Sequence, residues 1–283
     1  MMNRQMTFDR GKTYIMGILN VTPDSFSDGG LYTDRDRAMM RVSQMIDEGA
    51  DIIDVGGEST RPGFMEVPES EERDRTCSII EEICRSFDVP VSIDTYKDTV
   101  AAAALEAGAF MVNDIWGLRE EFEDVEGVKR RMDMSRTVKE HDAYIVLMHN
   151  SRSPYKTDAA EENYMGKLNR ELLYHAGLAE KAGIGKDRVI LDPGLGFGKT
   201  YEENLLILKH LKALKETGYP LLLGASRKSF IGRATGTEPD DRLAGTLLTT
   251  ALARSAGFNI VRVHDIKENR QILDVMREID KVE

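Results

Sequence analysis

Eight short apolar runs constrain this chain more than any other feature. Each is stopped by a polar residue able to bind or catalyse, and each is followed by a helix-like stretch. The runs end at Asn20, Gly56-Gly57-Glu58, Asp94, Asn113, Met148-His149, Asp192, Gly224-Ala225-Ser226 and Arg262-Val263-His264. Strand-then-helix repeated eight times is the pattern of a parallel (β/α)8 barrel, an α/β fold whose strands all end on one face. Residues far apart in sequence then become neighbours around one pocket. Strands are expected at 13–19, 52–55, 91–93, 111–112, 144–148, 189–191, 221–223 and 260–263. Most are unbroken Val, Ile and Leu runs, as strands covered on both faces require.

Helices are expected over 34–48, 71–87, 201–217, 242–255 and 266–279, and within 125–140 and 163–182. Another starts at Thr95, with Asp98 as its capping-box partner. The stretch 242–255 is unusual, being apolar or small nearly all round. An outer helix of a barrel should offer water one polar face. Contact with a second copy of the chain would explain this, as would cover from neighbouring helices of the same chain.

The 283 residues suit one barrel spanning 1–283, and no linker divides them. A net charge of −11 argues against general nucleic-acid or anionic-membrane binding. It leaves room for an anionic small substrate, because a few converging cations dominate locally. Cys77 and Cys84 fall seven apart in one expected helix, about 10 Å along its axis and too far for a disulfide. Unbridged thiols, the lack of an apolar signal core in residues 1–5 and the lack of a long apolar run together point to a cytoplasmic protein.

Three loops after strands are Gly-rich and polar: 20–30, 56–63 and 192–200. The last tempts one toward a nucleotide P-loop, but the required first Gly falls at Pro193. Gly224-Ala225-Ser226-Arg227-Lys228 tempts one toward a hydrolase elbow, but Lys228 occupies the final Gly position. No nucleophile with its base is evident.

The stretches at 16–30 (MGILNVTPDSFSDGG), 54–63 (DVGGESTRPG), 92–97 (SIDTYK), 113–115 (NDI), 147–150 (LMHN), 192–200 (DPGLGFGKT), 226–229 (SRKS) and 262–265 (RVHD) resemble the dihydropteroate synthase family of pterin-binding barrels. All eight occur in order, each at or just after an expected strand. The region 118–141 matches least. The resemblance implies a transferase of folate biosynthesis, the target of sulfonamides. Such an enzyme joins 6-hydroxymethyl-7,8-dihydropterin pyrophosphate to p-aminobenzoate and releases pyrophosphate.

By the same resemblance the pterin would meet Asp94, Asn113, Ile115, Met148, Asp192, Phe197, Gly224, Lys228 and Arg262. An ionised carboxylate such as Asp192 accepts two hydrogen bonds from an adjacent N–H and NH2. Asn113 can both donate and accept, and Lys228 can donate to a ring carbonyl. The pyrophosphate would meet Asn20, Thr60, Arg61, Arg262 and His264. Asn20 would hold Mg2+, which keeps several waters and needs few protein ligands. The p-aminobenzoate would lie among Phe26, Thr60, Pro62, Phe197 and Ser229. Catalytic roles fall to Asp94, Arg61, Lys228 and His264. A homodimer through the seventh and eighth helices, 242–255 and 266–279, is expected, with no nucleic-acid or membrane partner.

Other readings stay open. A lone strand-end Asp often caps the helix that follows, and Asn20 could cap a loop. His141, His175 and His210 fall on helices, where packing or surface roles suffice. A pterin-binding methyltransferase barrel acting with a corrinoid protein would share the Asp/Asn edge but would not need Asn20, Arg61, Arg262 and His264 together. A barrel that binds pterin without turnover is another alternative. An aldolase or isomerase barrel is a further one, weakened by the lack of an evident Schiff-base Lys or Glu base.

Overall fold

The computed structural model describes residues 6–8, 11–21, 34–58, 66–118, 121–123, 129–131, 133–151 and 164–282. Its barrel strands are β1 (Tyr14–Asn20), β2 (Ile52–Gly56), β3 (Val91–Asp94), β4 (Met111–Asp114), β7 (Tyr144–Met148), β8 (Val189–Asp192), β9 (Leu222–Gly224) and β10 (Ile260–Val263). Between β4 and β7 lies an antiparallel pair, β5 (Glu121–Glu123) and β6 (Lys129–Arg131). The barrel order is β8-β7-β4-β3-β2-β1-β10-β9, all parallel. A parallel bridge between Leu191 and Leu221 joins the two ends. The expected (β/α)8 barrel is the observed fold.

The helices are α1 (Asp34–Asp47), α2 (Glu69–Ser86), α3 (Asp98–Glu106), α4 (Met134–Glu140), α5 (Tyr164–Lys181), α6 (Tyr201–Lys209), α7 (Ser229–Thr235), α8 (Leu243–Ser255) and α9 (Ile266–Ile279). Strand side chains alternate in direction, and this sorts the core into two layers. Ile15, Leu19, Ile53, Val55, Ile93, Val112, Ile145, Leu147, Leu191, Leu223 and Val261 pack outward with the helices. Tyr14, Met16, Ile52, Met111, Tyr144, Val146, Ile190, Leu222 and Ile260 fill the barrel interior. The N-terminal segment closes the lower end. There the Tyr144 hydroxyl accepts from Met6 N at 3.1 Å and donates to Met6 O at 3.0 Å.

One step up most of the strands the inward positions become polar or glycine: Asp54, Ser92, Asn113, Asp192, Gly224 and Arg262, then Asn20, Gly56 and Asp94. These are the C-terminal strand ends. The lower interior is therefore an apolar plug, and the upper interior is a site.

Local expectations are corrected in two places. The third helix does not start at Thr95, and the proposed capping box does not form. Lys97 is the N-cap with no side-chain cap bond, and Thr95 Oγ1 instead accepts from Lys97 N at 3.2 Å. Asp98 accepts from Thr99 N at 2.9 Å and Asp133 N at 2.7 Å. The helix expected over 201–217 stops at Lys209 and resumes as tighter 3-10 turns over Leu211–Thr217. It opens on a capping box of Thr200 and Glu203 that was not read. The short α7 and the β5–β6 pair also went unread.

Between β3 and α3 lies a buried ionic cluster. Lys97 donates to Glu58 Oε2 at 2.6 Å, Glu72 Oε2 at 2.7 Å and the Val67 carbonyl at 2.5 Å. Glu58 also accepts from Val67 N at 2.9 Å and the Tyr96 hydroxyl at 3.1 Å. Burial raises Glu72, with Lys97 opposing. Lys97→Met would leave two carboxylates without their cation. It is expected to lower unfolding free energy by about 3–5 kcal/mol, the cost of breaking a buried pair on one side. Urea denaturation would measure this. The deficit should shrink as pH falls and the Glu72 carboxyl, raised by burial, takes up a proton and loses its charge.

Candidate active site

Among the described residues, Asp94, Asn113, Asp192, Lys228 and Arg262 come together at the upper end of the barrel. Arg262, inward on β10, reaches across to two carboxylates. Its Nε donates to Asp54 Oδ2 at 2.6 Å, and its Nη2 donates to Asp94 Oδ2 at 2.5 Å. Asn113 Nδ2 donates to the same Asp54 oxygen at 3.4 Å. Burial opposes the Arg262 charge, but Asp54 and Asp94 outweigh it and hold the guanidinium charged. Burial pushes the Asp94 carboxyl up to about 7; Arg262 pulls it back, and Asp54 adds to the rise. Asp94 Oδ1 is buried and has no hydrogen-bond partner among the described residues. A pocket ligand is the natural partner for such an atom.

On the opposite wall stands Asp192. Its Oδ1 accepts from Gly194 N at 2.7 Å. Burial raises its carboxyl, with Lys228 opposing. A Cβ on Gly224 would sit 3.6 Å from Asp192 Oδ2, so the missing side chain leaves that oxygen open. Lys228 donates to the Leu195 carbonyl and sits 4.4 Å from the centre of the Phe197 ring. Burial pulls its amine down to about 8, and Asp192 opposes the fall.

Ile115 and Met148 pack with Tyr96 as one apolar cluster, and Trp116 and Phe197 border it. Three of the expected wall residues are thus one surface. Tyr96 and Trp116 join it unpredicted.

Asn20 ends β1 beside Gly56. A Cβ on Gly56 would meet Asn20 Oδ1 at 3.6 Å and Asp94 Oδ2 at 3.8 Å. The amide oxygen and the carboxylate therefore flank one gap. Among the described residues, no group of three or more His, Cys, Asp or Glu could hold a metal. One hard oxygen at the rim fits an ion that keeps its waters and takes further oxygens from an anionic substrate. His264 lies two residues beyond Arg262. Its main-chain N and its Nδ1 meet Ser226 Oγ at 3.2 and 3.0 Å. The hydroxyl can accept from the first and donate to the second. Ser229 is exposed at the start of α7. Phe26, Thr60, Arg61 and Pro62 lie outside the described residues.

Sequence reasoning missed three residues. Asp54 interrupts the run Ile52-Ile53-Asp54-Val55 at an inward position, and a charge inside a buried strand was the available signal. Lys199 donates to the carbonyls of His149 at 2.9 Å and Gly194 at 2.8 Å, tying the loop after β8 to the end of β7. Burial pulls its amine down to about 7. Ser226 carries His264. Lys199 and Ser226 lie in stretches that carry the family resemblance, but nothing in the sequence shows that their partners are a loop and a side chain. His175, expected to pack, is buried with Nδ1 at 2.5 Å from the Gly117 carbonyl.

A family model described as pterin binding enzyme matches residues 16–264. The chain is 48% identical to a dihydropteroate synthase of Clostridium beijerinckii over 259 residues, covering 91% of each. It is 44% identical to that of Bacillus subtilis over 268 residues, covering 94% of this chain and 88% of the other. Among solved structures, a Clostridium difficile dihydropteroate synthase with pteroic acid superposes with a TM-score of 0.86 at 44% identity, covering 98% of this chain and 100% of that chain. One from Xanthomonas albilineans in complex with 7,8-dihydropteroate gives 0.84 at 37%, covering 98% and 97%.

Gly194 holds the Asp192 carboxylate from a backbone that only glycine accepts here. Its φ is +65°, and a Cβ would lie 2.1 Å from the His149 carbonyl oxygen. Gly194→Ala is expected to cost at least about 2 kcal/mol from left-handed strain plus displaced backbone. Chemical denaturation would measure it.

Proposed function

This chain belongs to the pterin-binding enzymes and, among them, to the dihydropteroate synthases, and from that premise we propose which side chains carry the reaction. The enzyme joins 6-hydroxymethyl-7,8-dihydropterin pyrophosphate to p-aminobenzoate, giving 7,8-dihydropteroate and pyrophosphate. One observation carries the assignment of roles: Asp94, Asn113, Asp192, Lys228 and Arg262 converge over the apolar wall of Ile115, Met148 and Phe197.

Asp192 accepts from the pterin N–H and NH2 edge through the oxygen that Gly224 leaves open. Asn113 and Lys228 complete that edge. The ring lies on the apolar wall. Its diphosphate arm points toward Arg262 and His264, with Thr60 and Arg61 arriving from the second loop. Asn20 would hold a magnesium ion, which would neutralise charge on the diphosphate. Phe26, Pro62, Phe197, Thr60 and Ser229 receive p-aminobenzoate.

The bond that breaks joins the pterin methylene carbon to a diphosphate oxygen. Arg262, His264 and Arg61 stabilise the charge that grows on the leaving group. The carbon left behind is conjugated to an electron-rich ring, and Asp94 stabilises its positive charge. The p-aminobenzoate amine then supplies the new bond to carbon and loses a proton. No protein nucleophile is needed.

The second copy is also part of this reading. Leu248 and Leu252 form an exposed stripe on α8, 59% and 38% accessible. Val275 and Ile279 form another on α9, which packs against α8. The buried side of α8 uses Thr246, Thr249, Thr250 and Ala253 instead. Such an apolar face suits a self-complementary contact. No helix among the described residues is long and apolar enough to cross a membrane, and the two free cysteines suit the reducing cytoplasm.

Asp192→Asn is expected to weaken binding of the pterin pyrophosphate by at least about tenfold, because hydrogen bonds to a charged acceptor are lost. Asp94→Asn should lower kcat by about 100-fold with little change in that affinity. Calorimetry and steady-state rates measure the two, and wild-type behaviour in either variant removes its role. The kcat/KM profile should be bell-shaped. Below about 7 Asp94 takes a proton and the rate falls; above about 8 Lys228 loses one and the rate falls again. The acid limb should vanish in Asp94→Asn.

Leu248→Glu with Val275→Glu should convert a dimer to a monomer in analytical ultracentrifugation. A monomeric wild-type protein would discard the second copy.

A further inference from the structure

Asp54 touches the site without opening into it. Its side chain is fully buried, whereas those of Asp94 and Arg262 keep 10% and 20% of their surface exposed. On β2 it pairs in register with Ser92 of β3, one inward position below Asp94. Its Oδ2 accepts from Arg262 Nε and Asn113 Nδ2, and its Oδ1 is buried with no partner among the described residues. A carboxylate in such a place is costly unless its pairing serves something.

Arg262 explains the arrangement. Between β10 and β2 stands β1, so the guanidinium must extend across the barrel interior to reach Asp54 and Asp94. A long arginine side chain carries about 2 kcal/mol of rotamer freedom that must be given up to hold one pose. A bond to Asp94 alone, through Nη2, would let the fork swing about that contact. The second bond, at Nε, fixes its plane. Two of five N–H donors are then committed to the floor, and the rest of the fork is aimed by them. Asp54 also shares the cation, so Asp94 is not its sole counter-charge.

We infer that Asp54 is a positioning residue of the active site, which holds the Arg262 guanidinium from beneath in the pose that serves the diphosphate end of the pterin substrate and touches no substrate atom itself. The inference rests on the role proposed above for Arg262. It makes Asn113 a shared element, since one side chain both faces the pterin edge and bonds the carboxylate that aims the arginine.

Four variants test it: Asp54→Ala, Asp54→Asn, Arg262→Ala and the double variant Asp54→Asn/Arg262→Ala. Each is followed by steady-state kinetics with both substrates and by circular dichroism for the fold. Asp54→Ala should lower kcat/KM for the pterin pyrophosphate by about 100-fold, the scale of a catalytic group displaced by an ångström. The KM for p-aminobenzoate should change less than about threefold, because the defect lies at the other substrate. Asp54→Asn keeps the shape and an acceptor for Nε, so it should recover about tenfold of that loss. In the Arg262→Ala background, Asp54→Asn should cost less than about twofold more, since the group it aims is gone.

Losses that multiply in the double variant would overturn the inference, as would wild-type kinetics in folded Asp54→Asn and Asp54→Ala. Should Asp54→Ala fail to fold, Asp54→Asn alone and in the double variant still decides. Wild-type rates in Arg262→Ala would instead remove the role given to Arg262, and the inference with it. That outcome is read from a different variant than the failure of Asp54.

Discussion

A guanidinium shared by two carboxylates holds the floor of this pocket together. Arg262 comes from β10, 208 and 168 residues from Asp54 on β2 and Asp94 on β3, and it reaches them because β10 pairs with β1 beside those two strands. Each is costly where it stands without the others, because an unpaired buried charge loses several kcal/mol of hydration. The arrangement therefore adds little net stability. It adds definition, since displacing Arg262 strands both carboxylates and displacing either carboxylate leaves the fork on a single contact. The strand alternation that plugs the lower barrel with Ile52, Met111 and Ile260 is the same alternation that places Asp54, Asn113 and Arg262 two residues on. One repeat of the pleat separates core from chemistry.

Other cations play the matching role outside the floor. Lys97 ties Glu58 and Val67 to α2 and so fixes both stems of the second loop. Lys199 ties the loop after β8 to the end of β7 through main-chain carbonyls. Arg227 pairs with Asp265 and thereby joins the segment after β9 to the start of α9. Each lies within one of the stretches that carry the family resemblance, and none faces the pocket as a substrate ligand in the reading above. Motif residues in this chain thus divide into those proposed to meet a ligand and those that hold the loops beside them. A single sequence does not separate the two kinds, because Lys97 and Lys228 look alike until the partners of their amines are seen.

The barrel was legible because its strands are apolar runs ending in polar residues, and period-2 alternation needs no tertiary information. Asp192, Asn113 and Asp94 were legible for the same reason. The failures have local causes. Thr95 and Asp98 match a capping box, but Lys97 is drawn to Glu58 and Glu72, and the helix starts three residues late. Leu211–Thr217 continues the helical pattern of α6, yet it tightens into 3-10 turns before Gly218, which has a φ of +72°. Asp54 was passed over because it sits inside a strand rather than at its end. Ser226 was weighed only as a nucleophile, when its hydroxyl in fact orients His264.

The charge of the chain and the charge of the site point in opposite directions. The protein carries −11 overall, yet its proposed substrate brings a diphosphate. Long-range attraction does not deliver that anion, since screening at physiological salt limits such fields to about 8 Å. What matters is the few ångströms around Arg262, where the guanidinium is held charged against burial by Asp54 and Asp94. The two carboxylates would seem to spoil an anion site. They do not, because they take only two N–H groups of the fork, at Nε and Nη2, and leave its other donors to an anion. In the proposed mechanism Asp94 stabilises the positive charge that develops on carbon, while Arg262 takes the departing oxygens. Pulling the two charges of a breaking bond toward opposite partners within one ion cluster is a way to favour ionisation without a protein nucleophile. It demands that the cluster not collapse on itself when the substrate leaves, and a second carboxylate behind the arginine meets that demand.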